Sequence, residues 1–449
     1  MQQCAGDASA PVHQASSSLV MSSVEAPSAP RDPSSDAKPT AQSGHGELLA
    51  VLRVTSFRDY TISRSAAGVA TSLLQALVLW QVFAISNSAL SLGIVGLVAF
   101  VSAFVSSLIG GVIVDAYDRR TILFAAQVVP GICSLTMLAG IASGQVSLEM
   151  VYVLVFVTGL AASLEFPARQ AILPDVVPRS LFTRALTVNS AANSFTSVTG
   201  PALGGLLIAT GGVGAAYVAH VVLVGIGLLS LIPLRLERHR GGGRLELTAL
   251  REGLTFVRIH PALLGAMLLD MFAVLFGGAR ALLPVYAVDV LHASAFGYGL
   301  LSASMEAGTL LMALLLIMLP IPHRTGRLLL LAVAAFGVAT MIFGLSAALP
   351  LSIIAYALVG MADQVSMVMR QTMIQLTTPD TLRGRVTGLS SIFISASNEL
   401  GALESGLVAA AAGAVFAVVS GGVACLVVVG LVAWRIPSLR RYERAAVGQ

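Results

Sequence analysis

The chain has 449 residues, 56% of them hydrophobic and only 11% charged, with a mean hydropathy of +0.87. A soluble domain carries about 25% charge, so a water-solvated globule is excluded and lipid must face much of the surface. The formal charge of +4 comes from arginines placed between apolar runs, a sign of membrane topology and not of nucleic-acid binding; Lys38 is the single lysine.

Residues 1–50 are rich in Ser, Ala, Pro, Gln and Asp and hold no apolar run. The stretch from Ser16 to Met21 is shorter than the roughly 7–15 apolar residues of a secretory signal. A disordered cytosolic tail is expected, although an over-long start-site assignment fits the same facts. Beyond it, apolar windows of spanning length recur at roughly 60–83, 90–114, 122–142, 147–167, 186–209, 213–234, 262–287, 297–319, 326–347, 350–371, 384–410 and 413–434. About 20 apolar residues cross the hydrocarbon as a helix. Lipid offers the backbone no partners, so an all-α bundle of twelve spans is expected.

Arginines alternate with the connections. The second-to-third connection holds Arg119 and Arg120, the fourth-to-fifth holds Arg169, Arg179 and Arg184, and the middle one holds six between Arg235 and Arg258. Arg324 and Arg327, then Arg370, Arg383 and Arg385, continue the pattern, and Arg435, Arg440, Arg441 and Arg444 close it. The odd-numbered connections carry no Lys or Arg. Basic connections stay in the cytoplasm, so both termini are expected there, in the inner membrane of a bacterium.

The chain also repeats itself. Residues 169–209 align with 370–410 without gaps, and 11 of 41 positions match, including Arg169 with Arg370, Gly200 with Gly401 and Gly205 with Gly406. Halves related in this way commonly enclose a midplane site. The expected organisation is a tail at 1–50, a six-helix bundle over 51–234, a cytosolic linker over 235–260, a second bundle over 261–435 and a tail over 436–449. In the linker, Leu247, Leu250, Leu254 and Val257 recur at helical spacing. They predict an amphipathic helix on the membrane surface; a solvated tether accounts for them equally well.

Two motifs carry a family resemblance. Gly110-Gly111 leads through Asp115 and Asp118 to Arg119-Arg120 at the end of the second window. Gly200-Pro201-Ala202-Leu203-Gly204-Gly205 lies in the fifth, where proline removes a backbone donor and small residues permit close packing. The first resembles the loop 2–3 signature of the major facilitator superfamily, and the second its fifth-helix antiporter signature. Phe166 to Asp175, Thr378 to Val386 and Asn398 to Gly401 are similar to segments of the exporter branch that contains macrolide efflux proteins and the enterobactin exporter. The resemblance runs over about 57–440. It departs at Asp118, which stands where the loop signature usually has glycine, and in the fourth window, which lacks the arginine some drug exporters place there.

Ionisable groups inside a membrane are costly and usually functional. The deep ones are Asp270, Arg280, Glu306, Asp363, Glu399 and Glu404, all in the second half; the first half offers only Arg64 and Glu165 near the cytosolic rim, with Gln75 and Gln81 as uncharged polar candidates. Glu306 is expected to carry a proton or touch substrate, against the plainer reading of permanent pairing with Arg280. Arg280, which resembles an arginine of enterobactin-type exporters, either binds an anionic group or neutralises Asp270 or Glu306. Asp363 is preferred to Arg370 as a site residue, and Glu399 to Glu404. Asp115, Arg119, Arg120, Glu165 and Arg169 are expected to form a cytosolic gate in which Arg119 or Arg120 pairs with Glu165. Trp80 reads as an interface anchor and His220 as core.

Cys4, Cys133 and Cys425 are far apart and show no Cys-x-x-Cys or Cys/His spacing, so neither a disulfide framework, a metal site nor a cofactor is expected. There is no Gly-x-x-x-x-Gly-Lys-Ser/Thr loop to cradle ATP phosphates and no rim cluster suited to an enzyme acting on lipid. The expected function is secondary active export of a small hydrophobic compound, a drug or siderophore-like metabolite, by alternating access and proton antiport. The expected partners are that substrate, protons and the bilayer, with no nucleic acid, and the chain is expected to be a monomer. Uptake or facilitated diffusion by the same fold, or a transporter-like sensor without net flux, are the alternatives.

Overall fold

The structure, a computed structural model, describes residues 51, 53–116, 118–234, 247–318 and 323–443. The expected tail at 1–50, the start of the linker and residues 444–449 lie outside them. So do the side chains of 107–116, 119, 166–167, 170–171, 179 and 247–250.

The described residues are almost entirely helical. The first half contains α1 (Thr55–Ser86), α2 (Ala89–Ala116), α3 (Arg119–Ser143), α4 (Leu148–Val176) and α5 (Phe182–Leu231). The linker holds α6 (Leu247–Ile259). The second half contains α7 (Pro261–Gly277), α8 (Ala295–Met318), α9 (Thr325–Leu345), α10 (Leu349–Thr377), α11 (Asp380–Ala412) and α12 (Ala414–Arg435). Connections on the arginine-free side are short and chemically defined. Asn87 ends α1 with φ 47°, and Gly144 ends α3 with φ 69°. The Ser147 side chain accepts the Met150 N–H at 3.3 Å to start α4.

Among the described residues, ten helices are long and apolar enough to cross a membrane. The twelve-span major facilitator fold follows from two further facts. The helix α5 runs for 50 residues without a loop, but Gly212 breaks it at φ 73°, ψ −179°; it therefore crosses out and back as the fifth and sixth spans. The eleventh span, α11, is not among the ten, because Asn398, Glu399 and Glu404 interrupt its apolar run. The seventh span is discontinuous. After Gly277 it passes through Gly278 into a 3-10 turn (Ala279–Leu282), a short helical turn and a π turn ending at Val290. A broken helix in a membrane must find new partners for the freed backbone. Here Ser405 of α11 donates to the Gly278 carbonyl at 3.1 Å.

The repeat becomes symmetry of contact. Gly200 packs on the α1 backbone at Ser72 and Leu73, and its mate Gly401 packs on the α7 backbone at Val274 and Leu275. Gly205 meets Gly299 of α8, and its mate Gly406 meets Gly93 of α2, backbone to backbone. The last two pairs bring the halves together towards the arginine-free side, where α2 and α8 begin and where α11 and the first arm of α5 end. Small residues are what allow such approach.

The linker helix α6 lays its apolar face on the second bundle. Val257 is buried with Leu263, Met267, Ile374, Val386 and Leu389, Gly253 lies against Arg385, and Glu252 pairs with Arg385. It therefore covers the arginine-rich ends of α7, α10 and α11.

A Cβ on Gly205 would collide with the Gly299 Cα. Gly205→Leu is expected to part the halves on the arginine-free side. Electron–electron resonance between spin labels at the exposed positions Gln145 and Ala347 should then show a longer distance than in the unsubstituted chain, and Gly225→Leu, whose Cβ meets no neighbour within 4 Å, should leave it unchanged.

Candidate functional site

The halves enclose a cavity of about 480 Å³, within the range that holds a drug-sized ligand. Its wall is drawn from α1, α2, α3, α4 and the second arm of α5 on one side, and from α7, the turn after it and α11 on the other. Leu92 and Val95 line it towards the arginine-free side, just beneath the Gly93–Gly406 contact. Ala67, Ala126 and Glu165 line it towards the arginine-rich side. Most of the surface is aliphatic, with hydroxyl, amide and a few charged groups set into it.

The break after Gly277 places Arg280 on the cavity wall. Its guanidinium is about half exposed, donates to Gln75 Oε1 at 3.4 Å and faces Glu306 Oε1 of α8 at 3.7 Å. Both partners also line a recess beside the cavity, together with Tyr298, Ser302, Tyr356 and Pro201. The Tyr298 hydroxyl crosses between the halves to donate to the Ala76 carbonyl at 2.8 Å, and its ring packs against Trp80 at 5.2 Å. Trp80 is thus a neighbour of the recess. Asp363 of α10 lies within electrostatic reach of Glu306, and Glu399 of α11 lies within reach of Arg280. Glu399 lines the cavity beside Asn398. One guanidinium therefore stands near two carboxyl groups, Glu306 and Glu399, with Asp363 behind Glu306, all from the second half.

The remaining charges group differently. Asp270 pairs with Arg370, and both side chains are buried. The pair joins α7 to α10, so Asp270 is engaged away from Arg280. Glu404 neighbours Ser405 at 3.4 Å and does not line the cavity described above. At the arginine-rich rim, Glu165 accepts from Arg169 Nε at 2.6 Å, one helical turn away. Arg120 donates to the Ile232 carbonyl at 2.9 Å. Of the two expected gate pairs, Arg120 with Glu165 is not formed among the described side chains, and Arg119 with Glu165 involves a side chain outside them. Asp118 precedes α3 as its N-terminal cap residue without a side-chain capping bond; Gly111 and Asp115 lie in the last turns of α2, and the side chains of Asp115 and Arg119 are outside the described ones. In the fifth-span motif, Gly200, Pro201, Gly204 and Gly205 are all buried, with Gly200 and Gly204 on Leu73 of α1 and Pro201 and Gly205 towards α8.

Sequence reasoning passed over Gln127, Tyr298 and Tyr356, which carry no charge and so stand out little in an apolar run. Tyr298 had one local signal: glycine on both sides, Gly297 and Gly299, at the start of a span. His220, read as core, is buried and holds Ser134 Oγ at 2.8 Å, yet it also lines the cavity. Among the described residues no group of His, Cys, Asp or Glu is arranged to hold a metal ion.

Removing one partner of a buried ion pair leaves the other uncompensated, at a cost of about 3–5 kcal/mol. Asp270→Asn is therefore expected to lower the unfolding temperature of the detergent-solubilised protein strongly. Asp270→Asn with Arg370→Met should recover much of the loss, because the stranded cation is gone.

The chain matches the transmembrane secretion effector family model over residues 47–447. It is similar to the enterobactin exporter EntS of Citrobacter koseri, 30% identical over 392 residues, which covers 87% of this chain and 94% of that protein. The enterobactin exporter EntS of Escherichia coli O1:K1 is 28% identical over 390 residues, with the same coverage. Among solved structures it is similar to a bacterial homologue of the human lysosomal transporter Spinster in an inward-facing, occupied conformation, with a TM-score of 0.66 and 15% identity over 88% of this chain and 99% of the other. A D-xylose–proton symporter aligns with a TM-score of 0.63 and 14% identity, over 87% and 98%. These structural likenesses establish the fold, and the family match goes further: the chain belongs to the transmembrane secretion effector family, in the major facilitator branch that contains the enterobactin exporter, and is a multi-pass membrane transporter and not an enzyme.

Proposed function

We propose that the chain exports a small hydrophobic compound, drug-like or siderophore-like, across the bacterial inner membrane by alternating access in exchange for protons. Both termini would be cytoplasmic, as the arginine pattern requires, and the monomer suffices because a single chain supplies both walls of the cavity. The observation that carries the reading is the form of that cavity. The halves touch through Gly205–Gly299 and Gly93–Gly406 towards the arginine-free side, while the cavity lining reaches Glu165 towards the arginine-rich side. A compound would enter from the cytoplasm and leave after the halves rock about the site. The relatives named as enterobactin exporters support the outward direction.

Protons would supply the drive. One charge crossing 100 mV provides about 2.3 kcal/mol, roughly a 50-fold concentration ratio. Glu306 is the proposed proton carrier. It is partly exposed, borders the recess and faces a cation at 3.7 Å, so its ionised form has a partner and its protonated form releases Arg280. Asp363 and Glu399 complete the cluster, with Glu404 and Asp270 outside it. At the rim, Asp115, Asp118, Arg119, Arg120, Glu165 and Arg169 are proposed to close the cytoplasmic side in the opposite state, when Glu165 exchanges Arg169 for Arg119 or Arg120.

The test is proton movement in inside-out vesicles on addition of hydrophobic drugs and catecholate siderophores. A compound that collapses the pH gradient with the unsubstituted chain, and not with Glu306→Gln, is the expected result. A compound that binds and is carried without moving protons would replace antiport with facilitated diffusion.

A further inference from the structure

Two hydrogen bonds between described residues cross from one half to the other, and they end on adjacent residues of α1. Arg280 donates to Gln75 Oε1 at 3.4 Å, and the Tyr298 hydroxyl donates to the Ala76 carbonyl at 2.8 Å. The second is the shorter, and Tyr298 is buried. Its ring lies against Trp80, one turn beyond Ala76 towards the arginine-free end of α1. Tyr298 sits in the first turn of α8, beside Gly299, which meets Gly205 backbone to backbone. Tyr298, Ser302 and Glu306 recur at four-residue steps and so share one face of α8, and all three border the recess. The tyrosine therefore stands two turns nearer the arginine-free side than the carboxyl group that faces Arg280.

The duplicated contact lacks this bond. Gly93 of α2 stands to Gly406 as Gly299 stands to Gly205. The residues one before, three after and seven after the glycine are Tyr298, Ser302 and Glu306 in α8, but Leu92, Gly96 and Phe100 in α2. Close packing of the halves thus does without a hydroxyl at the equivalent place. The Ala76 carbonyl does not need one either: it lies inside a continuous helix, where an N–H one turn on takes one of its two lone pairs. We infer that Tyr298 is the latch of the outer closure. Its bond to Ala76 holds α8 to α1 on the arginine-free side, breaks when that side opens, and so sets the balance between the two orientations of the cavity. Opening brings water to both groups, so the bond is exchanged and not simply lost. Its net worth is that of one ordinary hydrogen bond, enough to bias the closure and small enough to break in every cycle. Alternating access is the one part of the proposed function that this latch requires; its grip is independent of cargo, of export direction and of protons.

The reporter is Ala99→Cys on the cavity wall, in a full-length chain whose Cys4, Cys133 and Cys425 are replaced by serine. Its rate of modification by a membrane-impermeant maleimide in right-side-out vesicles follows the fraction of chains open to the outside. Tyr298→Phe keeps the ring against Trp80 and removes the hydroxyl. It is expected to raise that rate about 5-fold, the equilibrium equivalent of one hydrogen bond. It strands no polar group, because Ala76 keeps its helix partner, so the variant should fold. Tyr286→Phe is the control. Tyr286 is also buried and donates to the Gly344 carbonyl at 3.0 Å, but both residues lie in the second half. Its loss should lower the unfolding temperature about as much as Tyr298→Phe does and leave the labelling rate unchanged. An unchanged rate in Tyr298→Phe, or an equal rise in both variants, would overturn the latch. Fast labelling of the unsubstituted chain from outside and slow labelling from inside would reverse the loading side, and the same comparison is then decided in inside-out vesicles. An unchanged rate in Tyr298→Phe with drug-driven proton movement intact removes the latch alone. A 5-fold rise without proton movement removes antiport and supports the latch.

Discussion

Lipid gives a charge or a free amide nothing to bind, and every other feature of this protein is arranged around that shortage. Each buried ionisable group must find a partner within the protein, line a cavity or lose its charge. Asp270 and Arg370 take the first course and join α7 to α10. Arg280 and Glu399 take the second by lining the cavity, and Glu306 borders the adjoining recess; the helix break after Gly277 is what turns the guanidinium onto the wall. The backbone obeys the same rule: the Gly278 carbonyl freed by that break is capped by Ser405. The break and its cap are thus what allow a cation to stand in the middle of the bilayer.

Duplication supplies the second constraint. Glycines 201 residues apart make equivalent contacts, Gly200 and Gly401 within the bundles, and Gly205 and Gly406 between them. Charge does not follow this symmetry. The first half builds its cavity wall from aliphatic residues, serine, threonine, glutamine and His220, with Glu165 at the arginine-rich end, and the second half brings Arg280 and Glu399, with Glu306 in the adjoining recess. Two similar scaffolds have thereby divided the work, one presenting mostly aliphatic and neutral polar surface, the other the guanidinium with its carboxyl neighbours.

The fold was legible in the sequence because its signals are long and repeated. Twenty-residue apolar runs and alternating arginines survive any local irregularity, and the twelve windows correspond to the observed spans. The fifth and sixth windows lie on one continuous helix because Gly212 turns the chain without a loop, a conformation no hydropathy window records. The partners of the charges were less legible. Asp363 was preferred to Arg370 as a site residue, but nothing local in the sequence indicated that Arg370 reaches across to Asp270, a contact between helices about 100 residues apart in sequence. Arg280 was recognised as important, and its pairing with Glu306 was one of the alternatives the sequence left open. Gln127 was passed over and His220 was read as core, since a lone polar group in an apolar run looks the same whether it packs in the core or faces a cavity.

The central claim is that this conformation opens its cavity to the cytoplasm through the arginine-rich face, so that cargo is loaded inside the cell. The most direct measurement places a cysteine at Ser395, on the cavity wall, in a chain whose Cys4, Cys133 and Cys425 are replaced by serine, and exposes it to a membrane-impermeant maleimide. The account predicts labelling in inside-out vesicles and little in right-side-out ones. Labelling confined to right-side-out vesicles would contradict it, because the cavity would then face the outside and the arginine-rich ends would no longer mark the loading side.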